Sequence, residues 1–528
     1  MLVIRNGFNC KTNMNKIKIL WADDEIDLLK PHIIFLEQKG YEIVAVTSGN
    51  DAIEEAQTQD FNIIFLDEKM PGISGLEALI AIKKFLPDIP IVMVTKTEDE
   101  FVMDDAIGSQ ISDYLIKPVN PKQLWLTVKK HVDTKRLVSE KITSLYQQDF
   151  RELSMMLNDN LGTEAWKELY KEIVRWELEL EKSQDSNMKD ILVNQKADAN
   201  NKFFKFVQEN YKNWIQDPDS APLMSNKLMV RKALPLVNKG KPVYFILIDN
   251  FRFDQWKMIQ PLMTDKFKLI DEDMYYSILP TATNYARNAI FSGFMPSEID
   301  KNYPGKWIYD EEKGSKNQHE EAYIVDYLKR LRKIAKVSYN KITSLEAGKR
   351  LPETVRNTNA DLNVIVYNFI DLLSHVRTEM EIIKELAEDE TAYRSLTYSW
   401  FKHSHLYEAL TEIANTDCYV VLTTDHGSIR VKRPSKVVGD RNTTANLRFK
   451  QGKNLNFNPK EVLYVKNPID IKLPQPSLSS SFIFAPEDYY FIYPNNYNQF
   501  ANFFENTFQH GGVSMEEMLI PIIIFENK

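Results

Sequence analysis

The chain has 528 residues, 43% of them hydrophobic, which is enough for about three domains each with its own core. Lysine and arginine total 66 against 74 aspartates and glutamates, and the resulting net charge of −8 excludes a basic nucleic-acid coat protein and confines any nucleic-acid contact to a local pocket. Cys10 and Cys418 are too few for a disulfide framework, and the longest strongly apolar run, 518–525, is far short of the roughly 18 residues that cross a bilayer, so a cytoplasmic protein is expected.

Residues 1–14 read as an N-terminal extension, with Met14 the expected natural start. Apolar strands at 17–21, 63–66, 91–94 and 114–116 alternate with helical stretches, the pattern of a small doubly wound parallel sheet over 15–133. Between Pro121 and Pro218 lie 96 residues with no proline and one glycine, Gly162; rich in Leu, Lys, Glu, Trp166, Trp176 and Trp214, they predict a helical bundle linker over 134–230. From Pro242 a strand at 242–249, a polar loop at 281–284, a strand at 364–369, a helix near 380–387 and a strand at 418–423 predict a larger α/β domain over 231–528. The serine run 477–481 reads as a loop.

In a parallel sheet, functional side chains gather at the carboxyl ends of the strands, and those of the first domain carry Asp23 and Asp24, Asp67, Thr95, and Lys117 with Pro118. Three carboxylates beside a lysine suit one Mg²⁺ and an incoming phosphoryl group, with Asp67 as nucleophile forming an acyl phosphate, Lys117 pairing with the phosphoryl oxygens and Thr95 hydrogen-bonding one of them. With DEKMPGISG after Asp67 and DYLIKP around Lys117, this set resembles the receiver domain of two-component response regulators. The resemblance implies a flavodoxin-like fold, phosphorylation of Asp67, an acidic pocket of Asp23 and Asp24, Thr95 and Lys117 as the switch pair, and Tyr114 as the switch aromatic. It also implies Mg²⁺ held by Asp24, Asp67 and the backbone carbonyl of Lys69. Lys96 departs from the small residue usual after the threonine.

In the large domain, Asp371 and His375 are four apart in FIDLLSHVR, one helical turn, and so share a face. Asp425 and His426 end the strand CYVVLTTDHG, where Gly427 is read as permitting a turn; His510 precedes two glycines; Asp249 ends the strand YFILID. This oxygen and nitrogen set suits zinc, or alternatively manganese or iron. The order of these motifs over 241–528 resembles the alkaline phosphatase superfamily. That resemblance implies two Zn²⁺ ions, one held by Asp371, His375 and His510, the other by Asp249, Asp425, His426 and a hydroxyl nucleophile. LPTATNYARNAIFSGFMP is similar to the P-T-x-T segment of the superfamily's nucleotide pyrophosphatases and phosphodiesterases, which makes Thr283 the implied nucleophile, with Thr281 in reserve. Asn284 is placed to donate to a phosphoryl oxygen, and Arg287 either reaches a phosphate or forms a surface salt bridge. The cationic stretches 429–436 and 439–448 either meet a polyanionic substrate or are solvated loops. Tyr285, Phe291 and Trp307 either stack on a nucleobase or belong to the core.

Receiver, helical linker and alkaline-phosphatase-like domain in this order resemble the PglZ-domain response regulators of bacteria with type IX secretion. What the resemblance implies is a regulator of type IX secretion and gliding motility, phosphorylated by a sensor histidine kinase, with a zinc phosphodiesterase output domain acting on oligonucleotides. It further implies the cytoplasmic component of the secretion motor and an alternative sigma factor as partners, and a homodimer on phosphorylation. Two competing readings are a regulator working through protein contacts with a metal-stabilised, weakly active output domain, and a small-molecule phosphomonoesterase.

Overall fold

The computed structural model describes residues 17–96, 111–183, 185–309, 312, 314–368, 370 and 389–528, with the backbone alone at 133–140. Two compact units result, one of residues 1–145 with 182–185 and one of 146–181 with 186–528.

In the first unit, β1 (Lys18–Ala22), β2 (Glu42–Val46), β3 (Ile63–Asp67), β4 (Ile91–Thr95) and β5 (Asp113–Ile116) form a parallel sheet in the order β2-β1-β3-β4-β5. Strands β3 and β4 are continuous apolar runs because both faces are covered: Trp21, Phe65 and Val92 pack on one side, Leu20, Ile64 and Met93 on the other. The carboxyl ends of β1, β3, β4 and β5 therefore bring Asp23, Asp67, Thr95 and Lys117 to one edge. The helix Gly75–Lys83 starts at a capping box made by Ser74 and Glu77, and a Cβ on Gly75 would lie 2.1 Å from the Asp67 carbonyl, so only glycine lets the helix start so close to the strand end.

The second unit holds the linker helices Thr163–Glu181 and Ser186–Gln216, which bury Trp166, Trp176 and Trp214. Its main sheet contains β6 (Val243–Ile248), β7 (Phe267–Tyr276), β8 (Val337–Ile342), β9 (Leu362–Tyr367), β10 (Tyr419–Thr423) and a last strand Leu519–Asn527, in the order β7, last strand, β10, β6, β9, β8. Strands β10, β6, β9 and β8 are parallel, and the last strand runs antiparallel to both its neighbours. The apolar run 518–525 is thus the inner part of this sheet. Short strands between β10 and the last strand form three small sheets; one strand, Ser480–Phe484, takes in Ser480 and Ser481, so the serine run is not all loop. The expected helix at 380–387 lies outside the described residues. Among the described residues, no helix is long and apolar enough to cross a membrane.

Candidate functional sites

In the first unit, Asp23 is fully buried and Lys117 bridges it (2.7 Å) to Asp67 (3.0 Å). Burial raises the Asp67 carboxyl above the usual carboxylate range; the Lys117 hydrogen bond opposes this, and the neighbouring Asp23 charge adds to it. Burial pulls the Lys117 ammonium down, but hydrogen bonds to Asp23 and Asp67 outweigh it and leave the group raised. Oxygens of Asp23, Asp24 and Asp67 lie within 4.8 Å of one another, with Asp24 on the exposed side, and this all-oxygen set fits a hard cation that keeps part of its water shell. Lys69 is exposed just past the strand end.

Two residues missed in the sequence shape this pocket. The Thr95 hydroxyl donates to Glu68 (2.6 Å) and is hydrogen-bonded to Tyr114, so it is engaged beside Asp67. Lys96 is tied to Glu25 at 2.5 Å, which accounts for a long cation at a position expected to be small. Glu68 adjoins Asp67 in sequence; its acidity was the available signal.

In the second unit, parallel pairing sets the core of the site. Thr423 is paired with Leu247, and continuing that register two residues on from this pair places Asp425 beside Asp249. Both are buried, as is His426, and one ligand atom from each of the three lies within 4.8 Å of the others. Thr283, the first residue of the helix Thr283–Ser292, sets its Oγ1 at 3.0 Å from His426 Nε2 and 3.4 Å from Asp249 Oδ1. The hydroxyl named from sequence and three named ligands thus converge.

Surrounding bonds aim these groups. The Asp425 carbonyl accepts from Ser277 (2.7 Å), and the Thr424 hydroxyl donates to the His426 carbonyl (2.9 Å) and accepts from Phe251 N–H (3.0 Å). His426 Nδ1 lies 3.1 Å from the Gly427 carbonyl, and His510 Nδ1 lies 3.1 Å from the Thr281 carbonyl. A carbonyl can only accept, so Nδ1 is the donor in both rings, and in the neutral imidazole that is the tautomer which presents Nε2 to a metal. The two rings stack 4.2 Å apart. With one oxygen of Asp249 taken by Arg287 and the other facing Thr283 and His426, this donor set fits zinc. Asp371 and His375 lie outside the described residues.

The geometry decides several of the open readings. Arg287 is neither at the surface nor extended toward a substrate: it is 1% exposed and held by Asp249 (2.8 Å) and Glu320 (2.6 Å), with Asp425 at 3.8 Å. Its guanidinium orients the Asp249 carboxylate. Thr281, the reserve nucleophile, is fully buried; its hydroxyl donates to the Gly512 carbonyl (2.9 Å) and accepts from Gly511 N–H (3.0 Å), so it braces the His510 loop. Gly427 is required by packing, since a Cβ there would lie 2.0 Å from the Glu516 carbonyl. In the cationic stretches, Arg448 is buried against Glu517 (2.7 Å), and Arg433 pairs with Glu487 and Asp488. Tyr285, Phe291 and Trp307 are core residues. Asn284 is half-buried in the first helical turn. Sequence reasoning missed Glu320, which holds Arg287, and Asn317, whose amide donates to the Thr283 carbonyl (3.2 Å). Neither lies in a motif that could have flagged it.

Three family models match the chain: a response regulator receiver domain over residues 19–129, a PorX response regulator linker domain over 136–215, and a BREX system PglZ alkaline phosphatase-like domain over 228–525. Among curated proteins, the alkaline phosphatase synthesis transcriptional regulatory protein PhoP of Bacillus subtilis is 32% identical over 118 residues, which is 22% of this chain and 48% of that protein. The alginate biosynthesis transcriptional regulatory protein AlgB of Pseudomonas syringae pv. tomato is 32% identical over 123 residues, 23% of this chain and 28% of that protein. The chain spans about half the length, or less, of these curated relatives. Among solved structures, a CheY-like receiver domain protein from Methanospirillum hungatei is 27% identical, with 22% of this chain and 95% of that one covered and a TM-score of 0.22. The chemotaxis regulator CheY4 of Vibrio cholerae is 28% identical, with 22% and 98% covered and a TM-score of 0.21. The PglZ model alone covers more than half of the residues, and the chain belongs to that alkaline-phosphatase-like family, carrying a response regulator receiver domain ahead of it.

Proposed function

We propose that this protein is a response regulator, phosphorylated on Asp67 by a sensor histidine kinase, whose output domain is a zinc-dependent phosphodiesterase acting on oligonucleotides. The observation that carries the reading is the Thr283 hydroxyl, 3.0 Å from His426 Nε2 and 3.4 Å from Asp249 Oδ1 at the start of a helix. Helix N-termini favour anions, because their first N–H groups lack intrahelical acceptors and the dipole is positive there. A phosphodiester seated at this end would meet the hydroxyl, with Asn284 in the same turn as a donor to a non-bridging oxygen. Thr283 Oγ1 would then form a bond to phosphorus as the ester bond to the leaving alcohol breaks, and water would release the nucleotide in a second displacement.

Asp249, Asp425, His426 and Thr283 would hold one zinc ion, and His510 with Asp371 and His375 a second. Bound there, zinc supplies Lewis-acid charge that lowers the hydroxyl pKa and neutralises the phosphate. Arg287 keeps the Asp249 carboxylate turned with one oxygen toward Thr283. In the receiver, Mg²⁺ held by Asp24, Asp67 and the Lys69 carbonyl would prepare Asp67 for phosphoryl transfer, and Lys117 and Thr95 would bind the product. A role in type IX secretion and gliding motility, contacts with the secretion motor's cytoplasmic component and an alternative sigma factor, and dimerisation on phosphorylation are part of this proposal through the resemblance of the domain order.

The test is hydrolysis of bis-p-nitrophenyl phosphate and of a short oligonucleotide by zinc-loaded protein, comparing wild type with Thr283→Val. Turnover by wild type, lost in the variant, supports the reading. Zinc binding without turnover of either substrate would sink it and leave the protein-contact regulator in its place.

A further inference from the structure

The long linker helix Ser186–Gln216 grips the output domain at a buried polar clasp. Asn200, 4% exposed, accepts the Met515 N–H (2.8 Å) and donates to Glu516 Oε2 (2.9 Å). One turn earlier on the same face, Lys196 reaches the other oxygen of Glu516 at 2.8 Å while also bonding Glu177 at 2.9 Å. Both oxygens of one buried carboxylate are thus held by a single helix.

From Glu516 two short routes lead to the histidine loops. The Glu516 carbonyl occupies the space a Cβ on Gly427 would need, and Gly427 N–H donates to the Glu517 carbonyl (3.3 Å), so the backbone after His426 rests on residues 516 and 517. The Glu517 carboxylate accepts the Gly512 N–H (2.9 Å) and the Ser514 hydroxyl (2.7 Å), two and four residues after His510. Residues 514–517 therefore carry the loops of His426 and His510 on one side and are braced by the linker helix on the other.

We infer that Asn200 is a positioning residue of the metal site, acting through Glu516: the clasp sets the spacing between the His426 and His510 loops, so the linker helix controls zinc affinity and turnover. The inference rests on the metal reading of the Asp249–Asp425–His426 cluster. Helix shifts in switching proteins are about 1–2 Å, whereas metal–ligand distances tolerate about 0.2 Å, so a small displacement of this helix is enough to alter the site. The helix begins at Ser186, directly after the segment Lys182–Asp185 that belongs to the first unit.

The experiment uses the full chain. Zinc affinity is measured by competition with a chromophoric chelator, together with kcat and KM for bis-p-nitrophenyl phosphate and the melting temperature of the metal-free protein. Asn200→Asp keeps the acceptor for Met515 but sets a second carboxylate against Glu516. It should weaken zinc binding about 10–100-fold and lower kcat with little change in KM. The double variant Asn200→Asp with Glu516→Gln rebuilds the bond with donor and acceptor exchanged, and should return zinc affinity to within about threefold of wild type. Lys212→Ala, on the same helix, removes an exposed pair with Asp470 and should change neither quantity. If Asn200→Asp does not fold, Asn200→Ser gives the same comparison without the added charge. Wild-type zinc affinity in Asn200→Asp, or a loss that the double variant leaves uncorrected, overturns the inference. Zinc binding by wild type without turnover refutes the phosphodiesterase alone and leaves the affinities to decide the clasp; no zinc binding by wild type overturns both.

Discussion

Replacing Arg287 with methionine tests whether its guanidinium holds the carboxylates of Asp249 and Asp425 together. The side chain is buried and pairs with Asp249 at 2.8 Å and Glu320 at 2.6 Å, with Asp425 at 3.8 Å. Glu320 keeps Lys341 at 2.8 Å, but removal of the arginine leaves Asp249 and Asp425 as buried anions side by side. Breaking a buried ion pair from one side costs about 3–5 kcal/mol. The second unit has about 380 residues, and an unfolding entropy of about 2.1 cal/mol/K per residue makes that loss a melting-point drop of about 4–6 °C. Zinc should narrow the gap, because a divalent cation between Asp249 and Asp425 supplies the charge the variant lacks. Differential scanning calorimetry of metal-free and zinc-loaded proteins reads both effects. A metal-free drop below about 1 °C, or a gap that widens with zinc, would refute this account of Arg287.

Thr281→Val should lower stability by about 1–3 kcal/mol, since it strips a buried hydroxyl that both donates to Gly512 and accepts from Gly511; thermal melts showing no loss would contradict its bracing role. In the receiver, the raised Asp67 carboxyl binds its proton more tightly folded than unfolded, so this group's contribution falls as pH rises through the unfolded and then the folded value, and at pH 7 the ionised side chain opposes folding. Asp67→Asn should therefore raise the receiver's melting temperature in magnesium-free buffer at pH 7, and Mg²⁺ should stabilise wild type but not the variant. Burial pulls Lys450 down to about 7, with Thr444 O at 3.0 Å as its hydrogen-bond partner and no carboxylate pairing with it among the described residues. Between about pH 7 and the unfolded value of about 10.4 the unfolded chain binds the extra proton. Stability should climb with pH across that window in wild type and lose this slope in Lys450→Met; parallel melting-temperature profiles would count against the assignment.

The inner parallel strands of both sheets, β1, β3 and β4 in the first and β6, β9 and β10 in the second, were legible because they are almost unbroken apolar runs, and a residue ending such a run must stand at the sheet's carboxyl edge. That logic located Asp67, Asp249 and Asp425 and, with the short flanking motifs, Lys117 and Thr283. Strands with water or charge on one face escaped it: β2 is half-exposed, and β7, FKLIDEDMYY, carries four charged residues in a strand that pairs with the last strand along its length. Arg287 was read wrongly because what decides its place is Glu320, thirty-three residues away in sequence and brought close only by packing. Gly427 shows the same limit in reverse. Sequence suggests a turn there, whereas the requirement comes from the carbonyl of Glu516, a residue distant in sequence.

Whether the Thr283 hydroxyl is the nucleophile of a two-zinc phosphodiesterase is read most directly by acid quenching of the zinc-loaded protein during turnover of a short oligonucleotide, followed by peptide mass spectrometry. The account predicts a nucleotidyl adduct on the peptide containing Thr283, absent in Thr283→Val. Turnover with the adduct on another residue, or undiminished turnover in the valine variant, would contradict it.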